Sequence, residues 1–305
     1  MVQIAYFGLG NMGMGMACNI AAKAKLDAPL IVWNRSMDKT AAVVAKGAVA
    51  SAGLADTVAK SDILFSCVSN DAAVNGLFDQ FLAVPGGVAG KLFVESSTIH
   101  PDTTRALQKR VLAAGADFVA APVFGAPAMA VAGLLVFVVA GSKAGIAASA
   151  PYMTGVMGRL VIDLSDDEDV GKALTLKIAG NTVILGMVES LSEGLTLAEK
   201  SGLGTDNFKK FIEALFGQSP YLPYCNRMMA NDYIRDEPLF SSSLAQKDAN
   251  HALSLARSSG MPTLPIIDVC NTHLDMVNKE LGEKGDIASI YGAVRTTSGL
   301  PFSSK

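Results

Sequence analysis

The sequence has few of the residues that hold metal ions or form disulfide frameworks. It contains four cysteines and three histidines in 305 residues, and neither type shows a CxxC pair or a metal-ligand spacing. We therefore predict no metal site. No secretory leader precedes the first apolar run, so reduced thiols and a cytoplasmic location are the simplest expectation.

Charged residues are also sparse, at 17% of the chain with a formal net charge of −3. Without a cluster of Lys or Arg, the chain has no basic field for nucleic acid, and we expect no such partner. Its longest charge-free segment, residues 118–142, is interrupted at Pro122, Gly125, Pro127 and Gly133. These breaks predict short buried strands and no membrane span.

Half of the residues are hydrophobic, which is enough for two domains with sizeable cores. The first half alternates short apolar runs with helical segments, which predicts an α/β domain with a Rossmann-type, mostly parallel sheet. The predicted strands cover residues 2–7, 29–33, 62–67, 91–95, 116–121, 134–140 and 160–164.

An acidic stretch at residues 163–169 precedes a change of pattern, after which apolar residues follow a helical period throughout. We interpret its carboxylates as a solvated helix start, where the helix dipole favours negative charge. We predict a cofactor-binding domain over residues 1–165. An all-helical substrate and dimerisation domain over residues 166–305 is predicted to begin with one long helix at residues 170–200.

The first predicted strand leads directly into a glycine-rich turn. This turn consists of Gly8, Leu9, Gly10, Asn11, Met12 and Gly13. In such a GxGxxG pattern the first glycine permits the turn, the second lets a pyrophosphate approach, and the third lets helix and strand pack closely. The pattern predicts dinucleotide binding, and the alternative is a glycine-rich turn without a ligand.

The residues after the second predicted strand bear on which cofactor is bound. They are Asn34, Arg35 and Ser36, at the place where an NAD-preferring site usually has a carboxylate for the ribose hydroxyls. An amide, a guanidinium and a hydroxyl suit the 2′-phosphate of NADP(H) instead. The alternative is a surface arginine in a turn.

Two further loops follow predicted strands at the carboxyl edge of the sheet, where ligands bind. One contains Val68 and Ser69, and the other contains Ser97 and Thr98. We predict that Val68 and Ser69 bind the cofactor. The hydroxyls and nearby backbone donors of the second loop suit a substrate carboxylate or the nicotinamide ribose, and ordinary capping of the following helix is the alternative for these hydroxyls.

The long predicted helix carries a lysine and an amide one turn apart, Lys177 and Asn181, on an otherwise apolar surface. Desolvation there would lower the lysine pKa towards the range of a general acid. The alternative is a solvated lysine whose stem covers apolar surface. The broad apolar surface of this helix also predicts a homodimer or larger homo-oligomer.

These motifs, in this order, resemble the β-hydroxyacid dehydrogenase family, which includes 3-hydroxyisobutyrate dehydrogenase and the glyoxylate/succinic semialdehyde reductases. The resemblance covers essentially the whole chain. It implies that Lys177 and Asn181 are catalytic and that Lys247 lies near the nicotinamide. It also implies a substrate site formed by Ser97, Thr98, Phe124, Gly125, Phe240 and Asp248.

The implied reaction is NADPH-dependent reduction of a small aldehyde or oxo acid, such as succinic semialdehyde or glyoxylate, or oxidation of a 3-hydroxy acid in reverse. The substrate loop departs from the family, since Phe124 stands in place of a serine that would bind a carboxylate. This departure raises the alternative of bulkier aldehydes or imines. A catalytically silent NADPH-binding module is a second alternative, and retention of Lys177 favours carbonyl chemistry.

Overall fold

The structure, a computed structural model, describes residues 2–165 and 169–305. The chain divides into two compact units, Met1–Lys177 and Ile178–Lys305. The predicted combination of a mostly parallel sheet and an all-helical second half is confirmed. Residues 166–168 of the acidic stretch lie outside the described part of the chain, so the predicted domain boundary there stays a prediction.

The first unit is organised around a single sheet with the strand order β3-β2-β1-β4-β5-β6-β8-β7, and β9 pairs with β8. The strands are β1 (Ile4–Phe7), β2 (Ile31–Trp33), β3 (Val49–Ala50), β4 (Ile63–Ser66), β5 (Leu92–Glu95), β6 (Asp117–Ala120), β7 (Val123–Phe124), β8 (Leu135–Gly141) and β9 (Gly158–Asp163). The pairs from β3 to β6 are parallel, whereas β8 is antiparallel to β6 and β7.

Helices cover both faces of this sheet. They are α1 (Asn11–Lys23), α2 (Ala41–Val44), α3 (Leu54–Lys60), α4 (Asp71–Leu82), α5 (Pro101–Ala113), α6 (Pro127–Ala132) and α7 (Lys143–Ser149). Alternate residues of β1 enter opposite cores: Ile4 and Tyr6 pack on one side, and Ala5 and Phe7 on the other. Burial on both faces explains why the strands are continuous apolar runs.

The sequence predictions did not include the two-residue strands β3 and β7 or the short helix α6. The sequence predicts no strand between residues 121 and 134, but β7 lies within this range and pairs with β8. A two-residue strand has no period from which it could be recognised. Two of the four residues that interrupt this region are the ends of α6, which begins at Pro127 and is capped by left-handed Gly133.

The second unit is helical. Its helices are α8 (Gly171–Lys200, which begins in the first unit), α9 (Thr205–Phe216), α10 (Tyr221–Met229), α11 (Ser242–Ser258), α12 (Pro265–Leu281) and α13 (Ile290–Thr297). By length and composition α8 could cross a membrane, but 44% of its most apolar window is buried. Its buried residues include Leu185, Val188 and Leu191 of the helical core. Helices of a protein core can have the same length and apolar composition as a membrane-spanning helix.

Candidate cofactor and catalytic site

The first unit gathers most of the predicted site residues at the carboxyl edge of its parallel strands. Because β1, β4 and β5 are neighbours, the loops that follow them emerge side by side. These loops carry the glycine-rich turn, the pair Val68 and Ser69, and the pair Ser97 and Thr98. Such an edge is where open α/β sheets bind ligands.

The glycine-rich turn has the shape that a dinucleotide requires. Gly8 has φ +91°, and a Cβ there would lie 2.2 Å from the carbonyl oxygen of Cys67. A Cβ on Gly13 would lie 1.9 Å from the carbonyl oxygen of Gly8, whereas one on Gly10 meets nothing within 4 Å. Gly8 and Gly13 therefore leave no room for a side chain, whereas there is open space beside Gly10. Gly10 is also the residue at which α1 begins without a side-chain cap, so phosphates can approach the free N–H groups there.

Asn34 has a role that the sequence did not predict. Its Oδ1 accepts a hydrogen bond from the backbone N–H of Leu9 at 2.9 Å, and its Nδ2 donates to the carbonyl oxygen of Ser36 at 2.8 Å. The side chain thus joins the end of β2 to the glycine-rich turn. Arg35 and Ser36 are exposed, so their side chains are accessible to a ligand at this edge.

The loops after β4 and β5 are joined by a hydrogen bond. The backbone N–H of Val68 donates to the hydroxyl oxygen of Ser97 at 2.7 Å. Ser69 is exposed beside this contact, and Thr98 is half-buried after it. Capping of α4 is performed by Asn70, whose side chain accepts from the N–H of Ala73, so Ser69 is not used as the helix cap.

Glu95, at the end of β5, is a residue of this edge that sequence reasoning missed. Its side chain is buried and accepts a hydrogen bond from the backbone N–H of Ser97 at 2.6 Å and one from the hydroxyl of Ser66. Burial raises the pKa of Glu95 to about 7, although these hydrogen bonds oppose the rise. An acidic residue at the end of an otherwise apolar strand was the available signal.

Lys177 lies among residues of the first unit. Its side chain is 9% exposed, and its Nζ lies 4.5 Å from the centroid of the Phe124 ring, within the range of a cation–π interaction. Burial raises the pKa of the Cys67 thiol to about 12, and the Lys177 ammonium opposes that rise. Gly125, next to Phe124, has φ +140°, and a Cβ there would lie 2.6 Å from Leu135.

The second unit brings together three more of the predicted residues. Asn181 Nδ2 donates to Asp248 Oδ2 at 2.7 Å, and Lys247 Nζ lies 2.8 Å from Asp248 Oδ1. Asp248 is 4% exposed. The structure places Phe240 half-buried against the helical core, with its backbone N–H donating to Asp286.

The described residues contain no group of three or more His, Cys, Asp or Glu side chains placed to hold a metal ion. The donors at the edge of the sheet are instead hydroxyls, backbone N–H groups and one ammonium. Such donors suit the phosphates and riboses of a dinucleotide and the oxygen of a reacting carbonyl.

Comparison with known proteins agrees with this geometry. Residues 3–164 match the family model described as the NAD binding domain of 6-phosphogluconate dehydrogenase. Residues 171–294 match the one described as NAD-binding of NADP-dependent 3-hydroxyisobutyrate dehydrogenase. The chain therefore belongs to the β-hydroxyacid dehydrogenase family, and it is an oxidoreductase with a nicotinamide cofactor.

Individual relatives extend over nearly the whole chain. The NADH-dependent oxidoreductase ucdB of Aspergillus ustus is 33% identical, covering 96% of this chain and 99% of the relative. A 3-hydroxyisobutyrate dehydrogenase of Mycobacterium tuberculosis, solved with L-serine, has a TM-score of 0.79 at 23% identity, covering 97% and 99%. A reductive aminase of Aspergillus terreus, solved with NADPH and ethyl-5-oxohexanoate, has a TM-score of 0.62 at 22% identity, covering 95% and 98%.

Proposed function

We propose that the protein uses NADPH to reduce the carbonyl group of a small aldehyde or oxo acid, with Lys177 as the general acid. The observation that carries this proposal is the position of Lys177, a buried ammonium beside Phe124 and close to Cys67 in the first unit. A lysine that only covers apolar surface would keep its ammonium in water.

When bound, the reduced nicotinamide supplies a hydride to the carbonyl carbon. Lys177 donates a proton to the oxygen, so that an alcohol leaves and the lysine is neutral until it takes a proton from water. A positioned acid of this kind contributes roughly 10²–10⁴-fold to the rate. Asn181 lies one turn further along α8. Its Nδ2 donates a hydrogen bond to Asp248, which fixes the orientation of the amide.

The preference for NADPH rests on the end of β2. Residues 34–36, directly after this strand, include no carboxylate, and the exposed Arg35 guanidinium offers a fork for the 2′-phosphate. The relative from A. ustus is named as NADH-dependent, so the two cofactors have to be compared directly. We expect Arg35→Ala to weaken NADPH binding by about tenfold or more and to leave NADH binding unchanged. A clear NADH preference in the wild type would exclude this role of Arg35.

The experiment that tests the proposed reaction is a substrate panel followed by NADPH oxidation, with NADH in parallel. Succinic semialdehyde, glyoxylate and related short oxo acids are expected to be reduced. NADPH binding without turnover on any carbonyl or imine would contradict the reaction and support a silent binding module.

A second candidate, reduction of bulkier aldehydes or imines, is favoured by Phe124. Its ring lies over the Lys177 ammonium, so an apolar surface adjoins the proposed acid. The similarity in fold to a reductive aminase is compatible with this candidate. We expect a cyclic imine to react more slowly than succinic semialdehyde under the same conditions, and the reverse order would favour the second candidate.

We also propose that the second unit mediates homodimerisation or a larger homo-oligomer. Val183 and Leu197 on α8 and Ile266 on α12 are each more than 60% exposed, and a subunit interface would bury such large apolar side chains. Light scattering at micromolar concentration should give a multiple of the chain mass. Val183→Glu should lower that mass, and a monomeric wild type would exclude the assembly.

A further inference from the structure

The loops after β4 and β5 share one buried acid. Ser66 and Glu95 are paired directly across the two strands, and their side chains are hydrogen-bonded to each other. The second carboxylate oxygen of Glu95 accepts the backbone N–H of Ser97, whose hydroxyl oxygen accepts the backbone N–H of Val68. This closed set of contacts, which we call the Glu95 clamp, fixes each loop relative to the other.

We propose that Glu95 is a positioning residue for the cofactor: its carboxylate holds the two loops in the arrangement that binds the nicotinamide half, so that cofactor affinity depends on its ionisation. This inference rests on the proposed function, in which Val68, Ser69 and Thr98 of these loops bind the cofactor. Glu95 itself is only 2% exposed, so it acts through the loops that it holds.

The chemistry of the clamp explains the dependence on ionisation. The hydroxyl of Ser66 and the N–H of Ser97 both act as donors to the carboxylate. Hydrogen bonds to an ionised carboxylate are roughly twice as strong as those between neutral groups. When Glu95 is protonated, its own O–H needs an acceptor, and the clamp loses part of its strength.

Two titratable groups of the first unit, Tyr6 and Cys67, interact electrostatically with Glu95. Tyr6 is on β1, and burial together with the charges of Cys67 and Glu95 raises the pKa of its phenol well above 10. Cys67 follows β4, with its pKa near 12, and Lys177 on α8 faces Cys67. Tyr6 and Cys67 are therefore neutral near pH 7, where burial has brought the pKa of Glu95.

The test is a fluorescence titration with NADPH between pH 6 and pH 8.5. In the wild type, the dissociation constant should rise about fivefold as the pH falls through 7, because the stronger hydrogen bonds of the carboxylate are lost. Glu95→Gln should bind NADPH with the weaker affinity at every pH. A wild-type pH profile in Glu95→Gln would overturn the proposal, even if its melting temperature changed, because a purely structural role alters stability alone.

Two further variants keep the test decisive if Glu95→Gln does not fold. Ser66→Ala removes a hydrogen bond that lowers the Glu95 pKa, so it should move the midpoint of the profile to higher pH; an unmoved midpoint would overturn the proposal. Asp117→Asn is the matched control, because Asp117 also accepts one backbone N–H and one serine hydroxyl, but at the opposite edge of the sheet. Asp117→Asn should keep the wild-type pH profile of NADPH binding. If Asp117→Asn flattened this profile as much as Glu95→Gln does, the proposal would be overturned.

Failure of the clamp and failure of the proposed function give different results. If NADPH binds tightly with no pH profile traceable to Glu95, the clamp is wrong and the reductase proposal is unaffected. If the protein binds NADPH with the expected profile but reduces no carbonyl, the clamp is right and the reaction is wrong. If NADPH does not bind at all, both are wrong.

Discussion

Each unit contains a buried carboxylate within its group of predicted site residues, and the two carboxylates have different neighbours. In the first unit, Glu95 accepts hydrogen bonds from neutral donors on Ser66 and Ser97. In the second, Asp248 accepts from the Asn181 amide and lies beside the Lys247 ammonium. Among these contacts, Glu95 has no cationic partner, whereas the negative charge of Asp248 is neutralised by the Lys247 ammonium.

This difference separates two ways of fixing a site. The first unit fixes loops with backbone groups, tight glycines and a carboxylate whose charge changes near neutral pH. The second fixes side chains on helices with an ion pair and an amide. We therefore expect the first group to respond to backbone changes and to pH, and the second to respond to the loss of single charges.

The largest effect is expected at the glycine-rich turn. A Cβ at Gly13 would collide with the rigid backbone at Gly8, so Gly13→Ala should lower the free energy of unfolding by about 3 kcal/mol and abolish tight NADPH binding. Gly10→Ala is the matched control, since its Cβ meets open space. It should keep the stability and weaken NADPH binding alone. Equal stability losses would contradict the assigned roles of these glycines.

The next effect concerns the pH dependence of stability. Burial raises the pKa of Glu95 from 4.5 to about 7. The Glu95 carboxyl therefore binds its proton more tightly in the folded state than in the unfolded state. Its contribution to stability is present below pH 4.5 and is lost as the pH rises through 7. Between pH 5 and 8 the loss amounts to about 2.5 kcal/mol. Urea unfolding should detect it in the wild type.

The Glu95→Gln variant isolates that contribution, because every other titrating group is unchanged. Its stability relative to the wild type should improve by about 2.5 kcal/mol between pH 5 and 8. Stability and cofactor affinity would then depend on pH in opposite directions. Parallel stability profiles for the two proteins would show that Glu95 does not titrate in this range.

A smaller effect is expected for the balanced carboxylate. Asp248→Asn removes a charged acceptor from Asn181 and Lys247, which should lower the free energy of unfolding by about 2 kcal/mol and reduce turnover. The control is Asp275→Asn, which breaks the exposed pair with Lys279 in the same unit and should cost about 0.3–0.5 kcal/mol. Similar losses for both variants would contradict the importance of burial at Asp248.

Much of the fold could be predicted because its signals are local and repeated. The strands that became β1, β4, β5 and β8 are apolar runs bounded by turns, and the period of α8 extends over 30 residues. The two-residue strands β3 and β7 have no period, so only their partners in the sheet define them. Helix α6 was hidden because its proline and glycine ends were interpreted as interruptions.

The residues of the site could be predicted better than the contacts between them. The glycine pattern predicts a turn by geometry alone, and the structure has that turn. The bond from Leu9 to Asn34 joins positions 25 residues apart, and the contact of Lys177 with Phe124 depends on β7, which the sequence did not reveal. Glu95 was missed because one acidic residue at a strand end has no pattern until its hydrogen bonds are known.

The central claim, that Lys177 supplies the proton for carbonyl reduction, is tested most directly by single-turnover oxidation of bound NADPH. The variant of choice is Lys177→Met, which keeps an unbranched apolar stem and removes the ammonium. With succinic semialdehyde, we predict that the variant binds NADPH like the wild type but oxidises it roughly 10²–10⁴-fold more slowly. A variant that oxidises NADPH at the wild-type rate would remove Lys177 from the mechanism.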